Sequence, residues 1–344
     1  MVPSRSRLLS LALGSAGVAV VLAGCSAIAK APRSDGLLPA HWLASRHIPA
    51  VVDLAGPRRD GRLTLAIAGR LSLLGRNGLA GFARGSGGYA TSHKTEPYIA
   101  LAPGSPGPAS DCSFPRDDLY ALQPGHGPEI IHVDGAGRAT PFAALPKGSF
   151  PDGITFDTTG AFGRRLLVSD LVDGATRILA IDCRGVVRTV TRRAPEVEGG
   201  IVVAPASFGI FAGQLIAPDE RSGTIYAIDA RGVVTTVAHS GLPHGGDIGV
   251  ESEGFVPAGF SRESAYLADR SVPGNPHPGT NTVLTLAGAK LARAGVRAGD
   301  LLVATEGGAE TLDLRCQPTC RVRHVAAGPG VTHAEGHIVF AALR

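Results

Sequence analysis

The sequence is poor in lysine and in aromatic residues, and it has no long hydrophobic run after its first 24 residues. Lysine occurs only at positions 30, 94, 147 and 290, and the arginines are scattered rather than clustered. The chain therefore lacks the basic patch with stacking aromatics that a nucleic-acid surface needs. Aromatic residues make up 5% of the chain, which disfavours a broad platform for stacking sugars. No later stretch reaches the ~18–20 consecutive apolar residues of a membrane-spanning helix.

Motifs of common catalytic centres are also missing from the sequence. It contains no G-x-S-x-G nucleophile elbow, no H-E-x-x-H zinc motif and no phosphate-binding loop. It has no Cys-x-x-Cys-His haem site, and its single tryptophan, Trp42, stands close to the N-terminus. These absences disfavour an electron-transfer or quinone-cofactor protein. The sequence also contains no nucleophile motif that would point to a class of enzyme.

The N-terminus has the pattern of a signal peptide. A basic start precedes an apolar run, Leu8 to Leu22, that is too short to be a typical membrane span. The run ends in Leu-Ala-Gly-Cys at 22–25, which resembles the lipobox of bacterial lipoproteins. The resemblance implies removal of residues 1–24 and lipidation of Cys25. We expect attachment to the extracytoplasmic face of the cell membrane through lipid only, with a secretory signal and an incidental cysteine as the alternative.

The other cysteines predict two disulfides. Once Cys25 carries lipid, four cysteines remain in an oxidising compartment. Cys316 and Cys320 bracket a Gln-Pro-Thr hairpin turn, so we pair them with each other and Cys112 with Cys183. A metal site at the close pair is the alternative, but it lacks a second close pair or a histidine at ligand spacing.

A short strand pattern that opens on an acidic residue and glycine recurs along the chain. Its copies begin at Asp152, Glu198, Glu253 and Glu335. Three further strand-like runs follow two of these copies in the same order, at 166–190 and 214–237. A repeat of about 40–50 residues built from four short strands is typical of the blades of a β-propeller.

We therefore predict an all-β fold, a six-bladed β-propeller of four-stranded antiparallel sheets, with five or seven blades left open. Residues 25–50 are small and polar without a period and are predicted to form a flexible tether before a propeller domain at 51–344. Further blades are expected at 80–145, 253–290 and 291–325. The final run, 335–343, is too short for a blade and should complete one with strands at 58–75, which would leave no open edge.

Two details of the repeats resemble the NHL-repeat and senescence-marker/gluconolactonase β-propellers. They are the Ile-Asp-x-x-Gly-Val-Val turns at 181–187 and 228–234 and the Pro-Asp-Gly strand opening at 151–153. In the gluconolactonase-like family a divalent ion lies at the mouth of the channel, and the aspartate of Pro-Asp-Gly is among its ligands. The resemblance implies that Asp152 is a metal ligand. This chain lacks the Asn-Gly blade openings that provide asparagine ligands in that family.

Propeller geometry would bring the repeated acids to one face of the disc. Acids at the starts of innermost strands should ring the mouth of the channel: Asp152, Glu198, Glu253 and Glu335. Acids at the ends of second strands should lie on the same face further out: Asp170, Asp219, Asp269 and Glu306. Crowded carboxylates must be protonated, hydrogen-bonded or bridged by a cation, and Ca²⁺ prefers such oxygen ligands. The alternative is structural, with each acid capping its own turn.

The sequence leaves two functions open. The first is a binding or scaffold module for a small molecule or an envelope protein, with Ca²⁺ at its acidic mouth. The second is a metal-dependent lactonase or esterase of the gluconolactonase-like type, with Asp152 and His244 as catalytic residues. His244 is a candidate because it lies in a glycine-rich loop expected on the acidic face. His333 and His337 flank Glu335, and His337 stands two residues into a strand, where a packed or channel-lining histidine is commoner than a ligand.

Overall fold

The computed structural model describes residues 39–67, 70–83, 96–104, 112–123 and 129–344. The signal peptide at 1–24 and the lipidated Cys25 lie outside these residues and stay predictions. Within the described ranges, no helix has the length and apolar character that crossing a bilayer requires.

The described chain begins with two short strands and then forms four separate four-stranded antiparallel sheets. The opening strands are β1 (Ala40–His41) and β2 (Leu43–His47). The first two sheets contain β3 (Val51–Ala55), β4 (Leu63–Ile67), β5 (Arg70–Gly75) and β6 (Gly78–Phe82), then β7 (Ile99–Leu101), β8 (Leu119–Leu122), β9 (Ile130–Val133) and β10 (Ala139–Ala143). The next two contain β11 (Phe150–Phe156), β12 (Leu166–Val172), β13 (Ala175–Ile181) and β14 (Val187–Ala194), then β15 (Val202–Val203), β16 (Leu215–Asp219), β17 (Thr224–Ile228) and β18 (Val234–His239). These sheets are blades of a β-propeller.

The blades pack face to face because their central strands are apolar on both sides. In β12, Leu166 and Val168 join the cluster shared with the preceding sheet, while Leu167 joins the cluster shared with the following one. In β13, Leu179 and Ile178 divide in the same way. Successive side chains of a strand point to opposite faces, so a continuous apolar run serves two interfaces at once. The predicted propeller of four-stranded antiparallel sheets is confirmed to this extent.

The last part of the chain forms a nine-stranded sheet with an unexpected connection. Its remaining strands are β19 (Val250–Phe255), β20 (Ser264–Asp269), β21 (Thr282–Ala287), β22 (Leu301–Thr305), β23 (Thr311–Cys316), β24 (Cys320–Ala327) and β25 (Ala334–Ala341), with a short helix, α1 (Gly288–Arg293), after β21. The strand order is β1-β24-β23-β22-β19-β25-β20-β21-β2. β19 and β25 meet through a single parallel pair, Glu253 with His337.

Three predictions for the chain ends were wrong. β19 does not begin a blade with β20 and β21, as the range 253–290 implied, because those strands pair with β25 and β2. The range 291–325 is not a separate blade either, since β22 returns to pair with β19. β25 does not join strands at 58–75, because β3 to β6 complete a sheet of their own. The expected link between the chain ends is made instead by β2, which pairs with β21.

Part of the range predicted as a flexible tether is in strands. β1 pairs with β24 in parallel and β2 pairs with β21 in antiparallel, so residues 40–47 belong to the nine-stranded sheet. Trp42, between these strands, is only 2% exposed, and its indole nitrogen donates to Thr311 Oγ1 at 2.8 Å. β1 and β2 are too short to show a sequence period, and hydrogen bonds to their partner strands stabilise them.

Both predicted disulfides are confirmed. Cys112 is bonded to Cys183 across two neighbouring blades, and Cys316 is bonded to Cys320 at the turn between β23 and β24. The close pair is therefore not a metal site.

Candidate metal centre at one mouth of the channel

The innermost strands approach one another closely at the axis, and glycine makes this approach possible. A Cβ added to Gly200 would lie 2.4 Å from the carbonyl oxygen of Gly336. One added to Gly336, whose φ is +69°, would lie 2.3 Å from Asp53 Oδ1. The amide of Gly199 donates to the Asp152 carbonyl at 2.8 Å. In the recurring acid-glycine pattern, the acid thus places a carboxyl at the channel mouth, and the glycine that follows it allows backbones of different blades to touch.

Glu335 lies at the centre of a group of acidic residues at the starts of the innermost strands. Its side chain is fully buried, and Arg270 Nη1 donates to its Oε1 at 2.7 Å. His333 Nε2 lies 3.4 Å from the same oxygen and 3.2 Å from Glu306 Oε1. Burial alone would raise the pKa of Glu335, but Arg270 and His333 outweigh it and lower that pKa to about 2.

His333 and Arg270, the cationic partners of Glu335, both keep their protons strongly. Burial lowers the pKa of His333, yet its contacts with Glu306 and Glu335 outweigh burial and raise that pKa to about 10. Arg270 also bonds Glu96, and the two carboxyls raise the pKa of its guanidinium despite the opposing effect of burial. Arg270 and His333 are therefore positively charged at neutral pH.

The hydroxyl of Tyr98 lies among three carboxyl groups. It is hydrogen-bonded with Glu251 Oε1, and it lies 2.8 Å from Glu335 Oε2 and 3.3 Å from Glu96 Oε2. A tyrosine hydroxyl has one proton to donate, so it cannot satisfy three ionised carboxylates. Burial first, and then the charges of neighbouring acids, raise the pKa of Glu251 and of Glu96.

Two sets of three residues could each hold a metal ion, because the potential ligand atoms within each set lie within 4.8 Å of one another. One set is Glu96, Glu251 and Glu335, and the other is Glu306, His333 and Glu335. His333 Nδ1 is buried without a hydrogen-bond partner in the described part of the chain, and the carboxyl groups of Glu251 and Glu306 are hydrogen-bonded to each other. The first set offers oxygen atoms only, which is the donor set that Ca²⁺ prefers, at distances of about 2.3–2.6 Å.

Further acids extend this group through hydrogen bonds between carboxyl groups, each of which requires a shared proton. Burial raises the pKa of Asp152 to about 6 despite its hydrogen bond with Glu198. Burial and the charge of Asp152 raise the pKa of Glu198 to about 11. Burial and Glu306 raise the pKa of Glu220 to about 8. We call these residues together the acidic mouth: Glu96, Tyr98, Asp152, Glu198, Glu220, Glu251, Arg270, Glu306, His333 and Glu335.

The structure brings together three of the four residues predicted to ring the channel. Asp152, Glu198 and Glu335 belong to the acidic mouth, but Glu253 does not. Burial alone raises the pKa of Glu253, with no neighbouring charge contributing. Glu251 takes its place, because the register of β19 shifts between Val250 and Ser252.

The outer acids divide into three structural residues and one member of the acidic mouth. Asp170 accepts from Arg177 Nε and from the Phe150 amide, both at 2.8 Å. Asp219 accepts from the Arg221 amide and the Ser222 hydroxyl of its own turn. Asp269 accepts from the amides of His333 and Thr280. Glu306 alone joins the acidic mouth.

Among the contacts of the described residues, neither His244 nor His337 pairs with a carboxyl of the acidic mouth. His244 is exposed, and its Nδ1 lies 3.2 Å from the Leu242 carbonyl in the same loop. His337 is buried, and its Nδ1 lies 3.0 Å from Asp53 Oδ1 further along the channel. A catalytic role for His244 stays a prediction that no contact supports.

The repeat pattern of the sequence does not identify five members of the acidic mouth: Glu96, Tyr98, Glu220, Glu251 and Arg270. A usable signal existed for two of them. Glu220 and Arg270 directly follow the ends of β16 and β20, just as Glu306 follows the end of β22. In these three blades the residue that follows the second strand belongs to the acidic mouth.

No protein-family profile and no curated protein matches this sequence. Among solved structures, a calcium-binding regucalcin from Agrobacterium tumefaciens C58 is 12% identical, with a TM-score of 0.49 over 87% of this chain and 81% of that one. A virginiamycin B lyase from Staphylococcus aureus is 10% identical, with a TM-score of 0.42 over 83% and 84%. A putative gluconolactonase is 15% identical, with a TM-score of 0.40 over 66% and 71%. These are distant likenesses of fold, and the identification of this chain as a β-propeller rests on its own strand order.

Proposed function

We propose that this protein is a lipid-anchored, extracytoplasmic β-propeller that binds Ca²⁺ at its acidic mouth and thereby holds a small molecule or an envelope protein. The observation that carries the proposal is the convergence of Glu96, Glu251 and Glu335, whose ligand atoms lie within 4.8 Å of one another. Anchoring through Cys25 follows from the signal pattern at 22–25 alone.

The charge balance of the acidic mouth supports a cation. Its carboxyl groups outnumber its positive charges, which are supplied by Arg270 and His333 only. Two carboxylates ~6 Å apart repel by about 3 kcal/mol at an effective dielectric near 20. Protonation relieves this repulsion at low pH, and a divalent ion relieves it when the carboxyls are ionised.

We further propose that the propeller has six blades. The nine-stranded sheet divides at the single Glu253–His337 pair into two halves of antiparallel strands. One half contains β19, β22, β23 and β24, and the other contains β25, β20, β21 and β2. An apolar cluster that includes Leu284, Leu302 and Phe340 packs between the halves. Another joins the β25 half to the first blade through Ala268 and Leu65, which would close the ring.

Calcium is expected to stabilise the mature protein. A ligand that binds only the folded state adds about 2.7 kcal/mol at 100 times its dissociation constant, so the melting temperature should rise from EDTA to saturating Ca²⁺. Glu251→Gln should remove most of this rise because it replaces a ligand carboxylate. Glu263→Gln makes the same charge change at the opposite end of β20 from Arg270 and should keep the rise. Calorimetry measures all three, and an unchanged wild-type melting temperature would refute calcium binding.

Without divalent cations, stability is expected to fall as pH rises from about 5 to 8. The carboxyls of Asp152 and Glu220 have folded-state pKa values of about 6 and 8, above the ~4 of an unfolded chain. Such a group favours the folded state fully below its unfolded pKa, and the contribution is lost as pH rises to the folded pKa. Calcium should offset the loss because it binds the ionised form. Urea unfolding at several pH values in EDTA tests this, and stability that increased over the range would contradict it.

One observation favours catalysis as a second candidate function. Asp152 shares a proton with Glu198 and has a pKa of about 6, near the neutral value that suits a general base. A bound divalent cation would polarise a lactone or ester carbonyl. A panel of lactones and aryl esters, with Asp152→Asn as control, separates the two functions. Metal-dependent hydrolysis lost in the variant would favour a lactonase or esterase, whereas no turnover on the panel favours a binding module.

A further inference from the structure

The channel contains a second cavity beyond the acidic mouth. Its volume is about 390 Å³, and it lies along the later residues of the innermost strands. Its walls combine apolar and polar residues: the apolar ones include Leu54, Ile99, Ile154, Phe156 and Ile338, and the charged or titratable ones are Arg116, Asp117, Glu253 and His337. No carboxyl of the acidic mouth lines it. The innermost strands run from the acidic mouth toward this cavity, so the two sites lie at different depths along the channel.

A hydrogen-bonded layer separates the cavity from the acidic mouth. Asp53 is fully buried and accepts from the amides of Ile99 and His337, both at 2.8 Å. The ring of His337 lies against the same carboxyl and near the Ile201 carbonyl, 3.3 Å from its Nε2. Since Asp53 has these partners, it is a structural residue of the channel wall.

Glu253 is a fully buried carboxyl in the cavity wall. Its residue is 0% exposed, and neither carboxyl oxygen has a hydrogen-bond partner among the residues that the structure describes. A buried carboxyl without a partner is costly to a folded protein. Its place in the cavity wall supplies a reason for its presence, because a ligand in that cavity can provide the missing donor.

We propose that this cavity binds a small apolar amine, whose ammonium group pairs with Glu253 while its hydrocarbon part packs against the apolar wall. The volume falls within the range of about 300–1,000 Å³ found for small-molecule sites. Pairing with Glu253 fixes the orientation of such a ligand, while the apolar residues of the wall contact its hydrocarbon part. The proposal is independent of calcium binding at the acidic mouth.

Isothermal titration of the mature protein with cyclohexylamine and benzylamine tests the proposal, with cyclohexanol and benzyl alcohol as neutral probes of the same shape. The amines should bind about tenfold or more tightly than the alcohols, because only they form the charged pair. Glu253→Gln keeps the size of the side chain and removes its charge, and it should weaken amine binding by about tenfold or more. Val202→Phe should reduce binding of both probe classes, since Val202 lines the cavity.

The outcomes separate this site from the acidic mouth. Glu251→Gln should retain amine binding, and Glu253→Gln should retain its response to Ca²⁺. Amine binding that is equal in wild type and Glu253→Gln, or no binding of either amine to the wild type, would overturn the proposal. If Val202→Phe does not fold, the comparison of wild type with Glu253→Gln still decides the question.

Discussion

In calcium-free buffer, Arg270→Met is expected to unfold with about 3–5 kcal/mol less free energy than the wild type. This is the usual cost of removing one partner of a buried ion pair. Arg270 bonds both Glu335 and Glu96, and the Glu335 side chain is fully buried. Removal of the guanidinium leaves these carboxyls with less compensating charge. Urea unfolding at neutral pH in EDTA measures the effect.

The same variant should gain more from calcium than the wild type does. Without Arg270, the ion becomes the main positive charge near Glu96 and Glu335, so its contribution to stability increases. Arg177→Met is the matched control. It breaks the buried pair with Asp170, and neither residue belongs to the acidic mouth, so it should lower stability without changing the response to Ca²⁺. A calcium response that was equal in both variants would show that the acidic mouth does not hold the ion.

Loss of the disulfide between Cys112 and Cys183 should cost about 4 kcal/mol of unfolding free energy. The bond closes a loop with a sequence separation of 71 residues, and the entropy that a cross-link removes from the unfolded chain increases with loop length. The Cys316–Cys320 bond spans a separation of 4, for which the same relation gives about 2 kcal/mol. Paired serine substitutions at each bond, compared by denaturant unfolding, measure both values.

The two disulfide variants control for one another, since each replaces two cysteines by serines. The Cys112–Cys183 variant should be the less stable of the two. A larger loss for the Cys316–Cys320 variant would mean that native contacts around its turn, rather than loop entropy, determine the stabilisation.

The repeated strands made the propeller predictable from sequence, but the pairing of the last strands was not. Blades at 150–194 and 202–239 follow the chain in order, so local patterns determine them. β20 departs from this order and pairs with β25, which lies much later in the chain, and β21 pairs with β20 and β2. A strand pattern shows which residues are extended and which face is apolar, but it does not identify the partner strand. The short strands β1 and β2 have too few residues to show any pattern.

The candidate site was predictable in position and only partly in composition. The acid-glycine pattern correctly located Asp152, Glu198 and Glu335 near one another. It failed at Glu253 because a shift of register moves a side chain along the channel, and Glu251 occupies the mouth instead. Tyr98 and Glu96 precede β7 in a region without a clear repeat. Their role depends on contacts with Glu335 and Glu251 that lie more than 150 positions away in sequence.

The two N-terminal strands have a mechanical consequence. β1 lies along the edge of β24 and β2 along the edge of β21, so the segment around Trp42 fastens together the two borders of the nine-stranded sheet. A pulling force applied to the chain before Ala40 would act first on the pairings of β1 with β24 and of β2 with β21. A recombinant form that starts at residue 51 would leave both borders bare, and uncovered strand edges promote self-association.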